Sequence, residues 1–129
     1  MKSWARTTMM YGIGYALTGV VFALPVMNGQ ALRLAAWAIC GVLVTLHSVH
    51  ESIRLRNPAL KAAWHVGLGG AIGGFGIALS ANLRSLLAAS PNPRQNMLLL
   101  SLAIWPLVTG LPAFIVAFGM GAVLSSARK

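Results

Sequence analysis

Four apolar stretches, each close to or beyond the ~20 residues that a helical bilayer crossing requires, follow one another with only short polar connectors between them. The pattern leaves little choice of architecture. Backbone amides cannot go unpaired in hydrocarbon, so each stretch has to close its own hydrogen bonds as a helix. The spacing predicts helices over residues 8–26, 32–55, 58–87 and 96–124, giving an all-α integral membrane protein. It is expected to be a single domain spanning residues 1–129, a four-helix up-down bundle with both termini cytoplasmic.

Composition agrees. The chain has 129 residues, of which 57% are hydrophobic and only 9% charged, and its mean hydropathy is +0.76. One small core could not hide so much apolar surface from water. The formal charge of +9 would suggest nucleic acid in a soluble protein. Here the basic residues fall singly or in small groups between apolar runs, where lipid phosphates meet them, so no nucleic-acid partner is expected. Cys40 is the sole cysteine, which excludes a disulfide within the chain.

The basic start at Lys2 and Arg6 resembles the head of a signal peptide, with Gly29-Gln30-Ala31 as a poor cleavage site, but the apolar run is long for a signal and helix 1 is expected to stay. Asn57 is expected to cap helix 3, with Pro58 as its first residue, which makes helices 2 and 3 a tight antiparallel hairpin. Pro106 and Pro112 are expected to bend or interrupt helix 4. Lys2, Arg6, Arg54, Arg56, Lys61, Arg128 and Lys129 fall on one side of the predicted bundle, against Arg33, Arg84 and Arg94 on the other. Seven against three puts the termini and the helix 2–3 turn in the cytoplasm, with the bacterial inner membrane the expected location.

Small residues recur at helical spacing in two places, Gly12, Ala16, Gly19 and Ala23 on helix 1 and Ala63, Gly67, Gly70 and Gly74 on helix 3. Such ridges let backbones approach closely where lipid has removed the hydrophobic drive for association. They are expected to pack helices within the bundle, with a homo-oligomer or a larger membrane complex as the other use.

The chemistry-bearing residues concentrate between Thr45 and His65, which hold all three histidines and the only acid, Glu51. His47, His50, Glu51 and Arg54 share about a third of the circumference of an ideal helix. His65 sits at similar depth across the hairpin, yet almost opposite the Gly67/Gly70/Gly74 ridge. Convergence therefore requires that ridge to face helix 1 or helix 4. His47, His50, Glu51 and His65 are the candidate metal ligands, and two of the histidines could instead hold haem. Acid–base chemistry on an interfacial lipid or quinone is a further use. The plainest reading pairs Glu51 with Arg54 and leaves the histidines in the headgroups, with no cofactor. Tyr11, Tyr15, His47, His50, Glu51 and His65 are the candidate ligand contacts.

Several activities lack their signatures. There is no His-Glu-x-x-His order, phosphate loop, Ser-His-Asp set, CxxC pair or calcium loop, and no charged residue near the middle of any helix. The expected function is a binding or accessory subunit that holds an apolar ligand, lipid or quinone, near the cytoplasmic interface. A membrane-embedded enzyme or redox subunit is the alternative, and a small transporter or channel ranks below both.

Overall fold

The computed structural model describes residues 3–24, 29–88 and 92–127. Four helices follow in order: α1 (Ser3–Phe22), α2 (Gln30–Val49), α3 (Ala59–Leu86) and α4 (Gln95–Ser126), with a π-helical turn (His50–Arg54) prolonging α2. No strand is found among the described residues. Three helices are long and apolar enough to cross a membrane, Gln30–Arg54, Ala59–Leu86 and Gln95–Ser126. Within the described residues α1 does not join them. It begins at Ser3, earlier than expected, and so takes in Arg6, Thr7 and Thr8, while residues 25 and 26 of the expected span lie outside the described residues.

α3 is the central helix. Of its most apolar 18-residue window 44% is buried, against 22% for α4 and 11% for α2. Its glycines explain how it can be so. Gly67, Gly70 and Gly74 face α4, and a Cβ on them would meet Phe114, Ala113 and the Trp105 carbonyl respectively. Gly69, Gly73 and Gly76 face α1, where a Cβ would meet the Thr8 carbonyl, Tyr15 and Ala16 respectively, and at Gly69 also His47 of α2. Two stripes of small residues thus serve two neighbours. On α1 the smooth ridge lies toward α3: Gly12 abuts Ile72, Ala16 abuts Gly76, and Gly19 abuts Ile77.

These contacts also fix helix directions. Pairs from Trp4–His65 through Tyr15–Gly73 to Gly19–Ile77 rise together, so α1 and α3 run parallel. Pairs from Gly121–Ala59 through Gly67–Phe114 to Gly74–Trp105 run oppositely, so α3 and α4 are antiparallel. The apolar core, Ala63, Val66, Ala113 and Ala117, lies between α3 and α4, with Val44 of α2 and Phe114 packed on it.

Two expectations need correction. α4 is not interrupted: it is helical over all 32 residues, Pro106 and Pro112 included. Between the two prolines the Thr109 hydroxyl donates to the Trp105 carbonyl at 2.8 Å and stands 2.8 Å from the Gly70 carbonyl, where α4 meets α3. Nor does Asn57 cap α3. Pro58 occupies the cap position, its carbonyl accepts from the Ala62 amide at 2.9 Å, and no side chain caps the helix. The Asn57 carboxamide is turned back toward Glu51 instead.

At the far end of the α3–α4 pair lies a polar network. The Asn82 carboxamide, 3% exposed, donates to the Leu98 carbonyl at 2.7 Å across the helices. Asn92 donates to the Ser85 hydroxyl, which donates to Gln95. Outside, every helix presents apolar side chains, such as Met10, Trp37, Leu86 and Ile115. That outer surface suits hydrocarbon rather than water.

Candidate functional site

The site is built where α2 gives way to the π-helical turn. Here the Leu55 amide reaches back to the His50 carbonyl, five residues away, and the Asn57 amide to the Glu51 carbonyl, six away, both at 3.1 Å. The wider turn departs from the ideal α-helix on which the sequence pattern was projected. Arg56, with φ of 50°, turns the chain in the left-handed region so that Asn57 comes back over Glu51.

Glu51 is completely buried. Its Oε2 accepts from the Asn57 carboxamide at 2.6 Å and from the Nδ1–H of His65 at 2.7 Å. Arg54, its expected partner, is exposed and forms no ion pair with it. A buried carboxylate must find its donors inside the protein, and the hairpin supplies two that are already close. Convergence of His65 with Glu51 follows from the glycine stripes: the Gly67/Gly70/Gly74 ridge faces α4, which turns His65 away from α4 and toward the hairpin.

Two aromatic rings of α1 close over the histidines. Trp4 stacks on His65 with centroids 4.6 Å apart and planes 8° from parallel, and Tyr11 stacks on His47 at 4.2 Å and 6°. His47 is fully enclosed, its Nε2 lying 3.8 Å from Glu51 Oε1, beyond hydrogen-bonding range. Gly69 makes room for this ring, since a Cβ there would come within 3.2 Å of its Cε1. Among the described residues neither ring nitrogen of His47 nor Oε1 of Glu51 has a hydrogen-bond partner. The hydroxyl of Tyr15, a residue only 6% exposed, is likewise without one there.

His50 stands apart from the other three. It lines an open groove of about 340 Å³ together with Thr7, Met10, Tyr11, Gly14 and Leu43, between α1 and α2. Of the six candidate ligand contacts, Tyr11 and His50 reach this groove, while Tyr15, His47, Glu51 and His65 do not line it. Tyr11 belongs to both places, with its ring stacked on His47 and its side chain in the groove wall. Among the described residues no three His, Cys, Asp or Glu side chains are placed to hold a metal ion.

Sequence reasoning missed Trp4, Asn57 and Gly69 as members of the site. Trp4 precedes the expected helix and so fell outside any face. Asn57 has the ordinary signature of a cap. Gly69 stood among many glycines with nothing to say which neighbour it met. No family model, curated protein or solved structure matches the chain.

Proposed function

We propose that the chain is a small polytopic protein of the bacterial inner membrane that acts as a binding or accessory subunit and holds an apolar ligand in the groove between α1 and α2. All four helices cross the bilayer in an up-down bundle with both termini cytoplasmic, and α1 crosses with the others because Met9, Met10, Ile13, Leu17 and Val21 line its outer side. The groove carries the reading. Its walls are largely apolar, it is open rather than enclosed, and its few polar groups, Thr7, Tyr11 and His50, sit on the side of the N-terminus and the α2–α3 turn. A volume near 340 Å³ lies at the small end of ligand sites, enough for one hydrocarbon chain or a single ring.

The Glu51 cluster supports this reading by being spent on structure. Two donors converge on one of its oxygens, and the carboxylate does not line the groove. Its work is to tie the α2–α3 turn to α3, which fixes the α2 wall of the groove.

Filling the groove tests the proposal. A Cβ at Gly14 makes only ordinary contact with Leu43, at 3.7 Å, so a side chain can start there without a clash and Gly14→Leu should project into the groove. Lipids and quinones that co-purify with the wild-type chain should be depleted from this variant at unchanged thermal stability. An identical extract from both proteins would sink the proposal.

A redox or enzymatic role has one observation on its side, the enclosed His47 and Glu51 oxygen without partners. Elemental analysis of protein purified without chelator separates the two readings. The binding role predicts only trace Fe, Zn, Cu and Mn, whereas near one metal per chain, lost in His47→Ala, would favour the redox reading.

A further inference from the structure

The groove has a charged mouth. Arg6 precedes the groove residue Met10 by four positions on α1 and therefore lies one turn beyond it on the same face. Arg54 follows the groove residue His50 by four positions, and in a π-helical turn, with its wider winding, it lies just past His50 on the same side. Both arginines are exposed, as are Arg56 and Lys61 at the same end. The one carboxylate that would neutralise them, Glu51, is withdrawn completely into the bundle and held by Asn57 and His65. Arg54 is thereby left exposed and without Glu51 as a counter-charge. Among the described residues this end of the molecule presents positive charge alone.

An apolar groove whose lining residues Met10 and His50 are each followed, one turn further toward the same end, by an exposed arginine is complementary to a molecule with one hydrocarbon chain to insert and a negative head to leave outside. We propose that the occupant is an anionic phospholipid, one acyl chain lying against Met10, Gly14 and Leu43 and the phosphate held between Arg6 and Arg54. Guanidinium groups are suited to this because their planar forks pair with phosphate oxygens two at a time. His50 and Thr7, at the rim, stand level with the ester region of such a lipid. The assignment rests on the groove reading and adds to it the charge of the ligand.

The test is native mass spectrometry of the full chain in detergent, with equimolar phosphatidylglycerol and phosphatidylcholine of identical acyl chains. The wild type should retain phosphatidylglycerol preferentially. Arg6→Gln and Arg54→Gln should each reduce that preference about fivefold, the equivalent of ~1 kcal/mol per basic residue near a charged headgroup. Arg6→Lys and Arg54→Lys, which keep the charge but lose the fork, should fall between the wild type and the Gln variants, and Gly14→Leu should lose both lipids. Equal retention of the two lipids, abolished by Gly14→Leu, would leave the groove reading standing and overturn the anionic assignment. A preference that survives the Arg6→Gln/Arg54→Gln double variant would overturn it too, since the charge would then act elsewhere. Retention of either lipid unaffected by Gly14→Leu would remove the groove reading itself.

Discussion

At the scale of single residues, Glu51 decides the local structure. A carboxylate with no exposure has to be paired, and removing a partner from a buried charge costs about 3–5 kcal/mol. Asn57 gives the sharpest probe. As a helix cap, Asn and Asp are nearly equivalent, so Asn57→Asp would be silent. As the donor 2.6 Å from Glu51 it is irreplaceable by a carboxylate, and Asn57→Asp should destabilise the protein strongly while Asn57→Ala costs about 1.5–3 kcal/mol, the range for a lost hydrogen bond to a charged group. Unfolding in graded denaturing detergent reads both, and a silent Asn57→Asp would mean that the contact is not made. Arg56, in the left-handed region, offers the opposite sign: Arg56→Gly should leave stability unchanged or raise it by about 1 kcal/mol. A clear loss in the same assay would show that the Arg56 side chain does more than turn the corner. The spacing placed His47, His50 and Glu51 on one face of α2 but left their convergence with His65 open, and which of them point inward was not legible. On an ideal helix His47 and His50 differ by only ~60°, and that difference is enough to send one under Tyr11 and the other into the groove.

At the scale of elements, the helices could be read because an apolar run of bilayer length has a single way of satisfying its backbone. The π-helical turn could not, since it answers to tertiary demands rather than to any residue in His50–Arg54. The glycine stripes are an intermediate case. Their period was visible on α1 and α3, whereas the assignment of one α3 stripe to α4 and the other to α1 depends on which helices lie beside it. The glycines should therefore separate into two kinds. Gly74 abuts the Trp105 carbonyl, where a Cβ would come within 2.6 Å of backbone oxygen, so Gly74→Ala has to push α3 and α4 apart. Gly41 has nothing within 4 Å, and Gly41→Ala should be neutral or stabilising by up to ~1 kcal/mol through helix propensity. In thermal melts in one detergent, Gly74→Ala should fall below the wild type and Gly41→Ala at or above it. Equal losses would show that the stripe is not a contact surface.

At the scale of the whole molecule, the basic residues near the N-terminus and the α2–α3 turn share one end, and the polar Asn82–Ser85–Asn92–Gln95 network occupies the other. Cysteines introduced at Ser3 and Asn92 test the proposed orientation: impermeant reagent applied outside cells should label Asn92→Cys and spare Ser3→Cys, and the reverse labelling would invert the topology. The same end bears the mouth of the groove, so orientation also decides which leaflet supplies the ligand. The measurement that bears most directly on the binding role is photo-cross-linking of the detergent-purified chain with a phospholipid carrying a diazirine on its acyl chain, followed by peptide mapping. Adducts concentrated on Met10, Tyr11 and Leu43 and lost in Gly14→Leu are the predicted result. Adducts spread evenly over outward apolar residues such as Trp37, Leu107 and Ile115, and unchanged in that variant, would contradict it.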